Sequence, residues 1–365
     1  MGKRMFGNGK IQELIDGYQH RRDACMPRLE AFMRGERPFL VSMGGPASYT
    51  RNCNAVDDCL TANLNDFATA LTIESDTLPY LEPWFGTGAY AEAFGCEYVW
   101  RDDESPACHY RYQKIEEVVG LRKPSIEDGT IFRMILDAIM LFKEVTRGKL
   151  PITPTDTQSA HDTATLILNA VEVFTASYTA PEILHDFLTT INNLIIEFTQ
   201  RQIDALGDCA CLPGHIMGIS TAGGPGISIS EDNVAVCSPT VNELSLLPYT
   251  DKVGAAFGGV AIHSCGDFSH SMPLMAKMQH LMMVDCTTSA RFDPNPCTPE
   301  AVREAFRGTG VIVQVRYHWD PEDTTAMIKR LWADDLRLVM RIGADPAQST
   351  DIHRAVTTTL EELYS

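Results

Sequence analysis

The sequence predicts an α/β protein built around a parallel sheet that is buried on both faces. Short, nearly continuous apolar runs alternate along the chain with longer segments of helical periodicity, and this alternation is typical of parallel sheets covered by helices. The 365 residues, of which 44% are hydrophobic and 21% charged, are enough to bury a substantial core. An open doubly wound sheet and a closed barrel would both give this pattern.

The first 35 residues are predicted to form a polar helical extension that packs outside the main body. Its apolar side chains recur at helical spacing: Ile11, Leu14, Ile15 and Tyr18. Residues 36–365 contain no internal repeat and no low-complexity linker. We therefore expect them to form one domain.

Five apolar runs predict the clearest strands. The first spans 38–43 and ends in Gly44-Gly45-Pro46, and the later ones span 259–263, 281–285, 311–315 and 336–340. Two helix starts lie between strands. Thr179 and Glu182 have the spacing of a capping box around Pro181, and Thr298 precedes Pro299 in the same way.

The charge balance excludes several classes of partner. The chain carries 48 acidic and 30 basic side chains, a formal net charge of −18, which repels nucleic acid and anionic membrane surfaces. No apolar run approaches the length of about 18 residues that a membrane span needs, and no secretion signal begins the sequence. We expect a cytoplasmic protein. Its 11 cysteines are scattered, so reduced thiols are available to a metal.

A His-x-Cys pair stands at the end of one predicted strand, in Ala261-Ile262-His263-Ser264-Cys265-Gly266-Asp267. Side chains alternate along a strand, so His263 and Cys265 are expected on the same side. An imidazole nitrogen beside a thiolate sulfur suits zinc. The spacing alone is also typical of a structural histidine near a buried cysteine.

The run 262–267 resembles the His-x-Cys-Gly element of the uroporphyrinogen decarboxylase superfamily, as it occurs in the methylcobamide:coenzyme M methyltransferases. Further stretches follow the order of the superfamily: 76–86 with Phe94-Gly95, 151–156, Ser230-Glu231-Asp232 with Ser238-Pro239, 247–249 and 297–300. The likeness covers most of the chain beyond about residue 35. It implies that residues 36–365 form a (β/α)8 (TIM) barrel, which the N-terminal helical extension precedes in the chain.

The resemblance also implies an activity. Its methyltransferase branch moves a methyl group between a corrinoid (cobamide) carrier, held by a partner protein, and a thiol or similar small acceptor. In that branch zinc is held by the histidine and cysteine of the element and by a later cysteine near the last strand. This sequence has no cysteine after Cys297. Cys286, at the end of the strand after that of His263, is the preferred third ligand. The alternatives are Asp285, His318 and Cys237.

Two carboxylates are candidates for a catalytic role. Asp156 and Asp232 both stand at predicted strand ends, from which they would orient substrate or hydrogen-bond His263. At such a position an aspartate is more often a solvated loop carboxylate. His161 and His215 also lie near strand ends, and a structural role is the better interpretation of both.

Two other functions remain open. A uroporphyrinogen decarboxylase binds a tetrapyrrole rich in carboxylates, for which arginines are suitable partners. The arginine-rich segment that follows the first strand in that family is absent here, since Arg51 is the only arginine among residues 43–51. A decarboxylase is therefore the second choice. The missing late cysteine also permits a metal-free barrel that binds a corrinoid partner without catalysis.

Overall fold

The computed structural model describes residues 6–44, 54–101, 104–343 and 345–365, so that Arg51 lies outside the described residues. The strands of these parts of the chain are β1 Phe39–Met43, β2 Glu97–Val99, β3 Ala107–His109, β4 Cys211–Leu212, β5 Thr221–Ala222, β6 Ile227–Ser230, β7 Val260–His263, β8 Leu281–Thr287, β9 Ile312–His318 and β10 Arg337–Gly343. Six of them form one parallel sheet in the order β1-β10-β9-β8-β7-β6. β2 with β3 and β4 with β5 form two small antiparallel pairs.

Shorter pairings continue this sheet into a ring. The Asp76 N–H donates to the carbonyl of Val41 in β1 at 2.8 Å, and Leu81, Ile152 and Ala210 are joined in turn by parallel bridges. The Ser228 N–H in β6 then donates to the Pro213 carbonyl at 2.9 Å. The wall therefore runs from β1 back to β6, as in a barrel, and the α/β barrel predicted from the sequence is confirmed.

Helices surround this wall. In chain order they are α1 Asn8–Met33, α2 Val56–Thr72, α3 Ala89–Ala93, α4 Thr130–Thr146, α5 Ala160–Ile167, α6 Ala170–Thr179, α7 Pro181–Leu206, α8 Pro239–Val241, α9 Leu247–Phe257, α10 Met272–Met275, α11 Pro299–Phe306, α12 Pro321–Leu331 and α13 Ser349–Tyr364. A π-helical turn, Asn242–Leu246, joins α8 to α9. None of the helices in the described parts of the chain combines the length and the apolar character that spanning a bilayer requires.

The five strands and both helix starts predicted from apolar runs and prolines are present, with one difference in capping. Thr298 caps α11 by accepting the Ala301 N–H at 3.3 Å. At α7 the N-cap is Ala180, whereas Thr179 ends α6 and donates its hydroxyl to the Thr175 carbonyl. The capping-box spacing was misleading because two helices abut there, and the threonine satisfies a carbonyl of the preceding helix.

The predicted N-terminal helix, α1, covers one end of the barrel. Its residues Leu29 and Phe32 join a buried cluster with apolar side chains that point inward from the strands: Leu40, Ala261, Met283, Ile312 and Val339. Each of these strand residues lies near the N-terminal end of its strand. The barrel floor is therefore apolar and closed, and a polar site has room only toward the C-terminal ends of the strands.

Candidate metal centre at the barrel mouth

The inward-facing side chains become polar two residues beyond the apolar floor. On β7 the residue two positions after Ala261 is His263. The same step leads from Met283 to Asp285 on β8 and from Ile312 to Gln314 on β9. All three polar residues are buried. The strand register places His263 beside Asp285 and Asp285 beside Gln314. Alternation along a strand keeps such residues on one face. A row of polar groups therefore lines the interior below the C-terminal mouth, where barrel active sites lie.

His263 and Cys265 come together at this mouth. The His263 Nε2 atom lies 3.6 Å from the Cys265 Sγ atom. Two ligands of one tetrahedral zinc ion, at about 2.0–2.1 Å for nitrogen and 2.3 Å for sulfur, lie about 3.5 Å apart. His263 is buried and Cys265 is exposed, so the pair reaches from the interior to solvent.

Asp285 holds the other nitrogen of His263. Its Oδ2 atom lies 2.7 Å from His263 Nδ1 and 2.9 Å from Arg316 Nε, and its Oδ1 accepts a 2.6 Å hydrogen bond from Gln314. Burial opposes ionisation of Asp285, but Arg316 and His263 together lower its pKa to about 2. A carboxylate behind a histidine fixes the ring so that the opposite nitrogen faces the metal.

Asp232 supplies the third group. One ligand atom from each of Asp232, His263 and Cys265 lies within 4.8 Å of the others. Asp232 begins the turn that follows β6, and its Oδ1 accepts the Cys265 N–H at 2.8 Å. Within the described parts of the chain, the structure gives its second oxygen no hydrogen-bond donor. Nitrogen, sulfur and carboxylate oxygen are all zinc ligands, so the residues present fit that metal.

Cys286 lies outside this group, because Asp285 points into the barrel and the next residue must point out of it. The Cys286 side chain is fully buried in the apolar layer between strands and helices, where its thiol contacts that of Cys297. Among the alternatives, Asp285 supports His263 from behind, His318 packs against the ring of Phe292, and Cys237 is buried. Within the described residues, the group that converges is Asp232, His263 and Cys265.

Two buried carboxyl groups hold the turn that carries Asp232. Asp162 accepts the N–H groups of Asp232 and Asn233 at 2.5 and 2.9 Å, and Glu231 accepts the hydroxyls of Ser159 and Thr250 at 2.6 and 2.5 Å. Burial raises the pKa of Asp162, and it raises that of Glu231 to about 7. These contacts fix the backbone that presents Asp232 to the other two groups.

Asp156 belongs to a neighbouring polar cluster. Its Oδ1 accepts the Ser230 hydroxyl at 2.8 Å and lies 3.6 Å from His215 Nε2. His215 Nδ1 lies 2.8 Å from the carboxylate of Glu82. Burial opposes protonation of His215, but Asp156 and Glu82 raise its pKa. The rings of His215 and His263 are 6.2 Å apart. This cluster is therefore a neighbour of the candidate metal group formed by Asp232, His263 and Cys265, and is separate from it.

His161, the other histidine near a strand end, lies apart from both clusters. It packs against Phe174, with its Nδ1 atom 3.1 Å from the side-chain amide of Asn233. Burial lowers its pKa to about 4. His161 is therefore neutral near pH 7 and packs as a core residue.

The loop that carries His215 enters the barrel in a strained conformation. Ile216 has a φ of +55°, which is unfavourable for a β-branched residue and needs support from its surroundings. Its carbonyl accepts hydrogen bonds from Gln314 Nε2 at 3.0 Å and from Arg341 Nη1, and the Gln314 Oε1 atom accepts the Gly218 N–H at 2.8 Å. Gln314 thus ties this loop to Asp285.

The sequence matches the profile of uroporphyrinogen decarboxylase (URO-D) over residues 85–293. The chain belongs to the uroporphyrinogen decarboxylase family. The matched span contains Asp156, Asp232, His263 and Cys265 and ends before Gln314. Two polar residues of the mouth on β9, Gln314 and Arg316, therefore lie outside the family match.

A solved structure has a similar fold. A methyltransferase from Methanosarcina mazei superposes with a TM-score of 0.63 and 16% sequence identity, over 93% of this chain and 98% of that chain. At this identity the likeness concerns the fold. No curated protein sequence matches the chain.

Proposed function

We propose that this member of the uroporphyrinogen decarboxylase family is a zinc-dependent methyltransferase that moves a methyl group between a corrinoid carrier and a thiol or similar small acceptor. The observation that carries the proposal is the convergence of Asp232, His263 and Cys265 at the barrel mouth, with Asp285 behind His263. Asp232 replaces Cys286 as the proposed third ligand. A small-molecule acceptor and a corrinoid protein are the proposed partners.

The chemistry of the proposed reaction divides between the metal and the chain. A bound zinc ion supplies Lewis acidity, which lowers the pKa of an acceptor thiol. Asp285 orients His263, and Arg316 reinforces the site by pairing with Asp285 and donating to the Ser264 carbonyl at 3.1 Å. Because Cys265 is exposed while His263 is buried, an acceptor approaches the group from the solvent side.

Zinc content tests the proposal, and two aspartates offer a matched comparison. Asp232 and Asp293 each accept a backbone N–H of the His-x-Cys-Gly turn, that of Cys265 at 2.8 Å and that of Gly266 at 2.5 Å, but only Asp232 belongs to the converging group. We expect about one equivalent of zinc in wild-type protein purified with metal present. Asp232→Asn should weaken zinc binding about 10- to 100-fold and Asp293→Asn should not, as measured by competition with a chelator.

Three results would count against the proposal. Wild-type protein that binds no zinc would remove the metal centre altogether. Equal zinc affinity in Asp232→Asn and wild type would exclude Asp232 as a ligand. Equal losses in Asp232→Asn and Asp293→Asn would indicate that both variants act through the turn alone.

The alternative of decarboxylation leads to a separate prediction. Among the described residues, Arg316 and Arg341 are the arginines that point into the mouth from the last two strands, and Arg316 is already paired with Asp285. A tetrapyrrole with carboxylates around its ring needs several such partners. We therefore expect no coproporphyrinogen when the pure protein is incubated with uroporphyrinogen. Chromatographic detection of that product would show decarboxylase activity.

A further inference from the structure

Arg341 is a buried cation on the inner face of β10. Its side chain is 8% exposed. The strand register pairs it with Ser42 of β1 on one side and with Arg316 of β9 on the other. Since paired residues of a parallel sheet point to the same face, all three side chains face the barrel mouth.

The guanidinium group of Arg341 is bonded to neutral acceptors. Its Nε atom donates to the Gly44 carbonyl at 3.2 Å and its Nη1 atom donates to the Ile216 carbonyl. Within the described ranges, the structure gives Arg341 no carboxylate partner and gives its Nη2 atom no acceptor. Arg316, in contrast, is neutralised by Asp285. A buried cation without a counter-charge is unfavourable, and an anion beside it would be strongly stabilised.

A cavity of about 50 Å³ opens beside this guanidinium, between β1 and residues 75–80. One water needs roughly 10–15 Å³ by this measure, so the cavity has room for a few waters or for one small anionic group. Three hydroxyls line it: the Oγ1 atom of Thr77 lies 2.9 Å from the Oγ atom of Ser42 and 3.0 Å from the Oγ atom of Ser75. Hydroxyls rotate and can donate to an anion. Asp66 also lines the cavity and interacts with another group of the protein.

A short chain of hydrogen bonds links Arg341 to His263. The Ile216 carbonyl accepts from both Arg341 and Gln314, and Gln314 in turn bonds Asp285, the partner of His263.

We propose that Arg341, with the hydroxyls of Ser42, Ser75 and Thr77, forms a binding site for an oxyanion group of a small molecule. The site goes beyond the proposed methyl transfer, because its residues are distinct from the metal group and its charge is present with or without zinc. Carboxylates and tetrahedral oxyanions share the acceptor chemistry that this site requires.

The test uses simple anions as probes and a matched arginine as control. Acetate, inorganic phosphate and sulfate are titrated calorimetrically into the full-length protein at constant ionic strength, with chloride as the balancing ion. Wild type should bind at least one probe saturably. Arg341→Gln should weaken that binding at least about tenfold, since it removes a charge-assisted hydrogen bond. Arg337→Gln alters the same strand at its other end, where Arg337 donates to the Phe32 carbonyl at 2.7 Å, and should bind like wild type.

A second variant covers the case in which Arg341→Gln fails to fold, as judged by circular dichroism. Ser42→Leu fills the cavity and leaves the guanidinium in place, and it should weaken binding to the same extent. Absence of saturable binding in wild type, wild-type affinity in either cavity variant, or an equal loss in Arg337→Gln would overturn the proposal. The titrations are performed on zinc-free and on zinc-loaded protein. Anion binding can therefore be judged even if the protein proves to bind no zinc.

Discussion

Replacing Cys265 by alanine is expected to remove bound zinc and to slow methyl transfer more than about 100-fold. The change deletes the sulfur of the group formed with Asp232 and His263, and two remaining protein ligands are too few for a stable catalytic zinc site. Because Cys265 is exposed, its loss should change the free energy of unfolding of the zinc-free protein by less than about 0.5 kcal/mol. Zinc is measured after dialysis, and transfer is followed by the absorbance of methylcobalamin in the presence of a small thiol.

Cys286→Ala is the matched control for this variant. It also removes one thiol from the same region, but that thiol lies on the outer face of β8 against Cys297. We expect Cys286→Ala to keep zinc and activity and to lose about 1 kcal/mol of stability, because it leaves a small cavity. A Cys265→Ala protein that retains zinc, or a Cys286→Ala protein that loses it, would contradict the assignment of ligands.

Asp285→Asn is expected to have the largest effect on stability. The substitution leaves Arg316, which is 15% exposed, without the carboxylate that now lies 2.9 Å from it. Removing one partner of a buried ion pair costs roughly 3–5 kcal/mol. The same change weakens the support of His263, so zinc affinity should fall about 10- to 100-fold. Urea denaturation of zinc-free protein measures the first effect, and chelator competition measures the second.

A surface pair of the same kind provides the control. Asp251 lies 3.1 Å from His280 Nδ1, with both side chains about a quarter exposed. Asp251→Asn should cost less than about 1 kcal/mol, since solvent screens exposed ion pairs, and it should leave zinc affinity unchanged. If Asp285→Asn matched this control in both measurements, Asp285 would not have the supporting role assigned to it.

Local patterns were sufficient to predict a parallel sheet covered by helices and the position of the His-x-Cys pair at a strand end. Apolar runs identify buried strands by composition alone, and a spacing of two residues places His263 and Cys265 on one face. The family resemblance added closure of the barrel, which periodicity does not determine.

The third member of the metal group was not predictable in the same way. Asp232 follows β6, whereas His263 ends β7, and their proximity depends on how two loops fold over adjacent strands. Cys286 lies at the correct end of the adjacent strand, but side chains alternate along it, so only one of Asp285 and Cys286 can point inward. Asp285 occupies the inner face, where it contacts His263.

Residues within the strands were missed for a different reason. Gln314 and Arg316 interrupt an apolar strand at every second position, which in hindsight marks an inward polar face. Arg341, directly after the last predicted strand, is buried although it carries a charge. A single sequence gives the residue type but not the side of the wall on which a strand end finishes, and burial of a charge depends on that side.

The order of pairing in the main sheet bears on how the protein folds. From β6 to β10 each strand pairs with its neighbour in sequence, so these pairings close short loops at a low cost in chain entropy. β1, in contrast, pairs with β10 across nearly the whole chain, with Val41 opposite Met340. Contacts of such large separation form late in folding. Since Asp232, His263, Cys265 and Asp285 all belong to the contiguous part, we expect the half of the barrel that carries the proposed metal ligands to assemble before the first strand completes the wall.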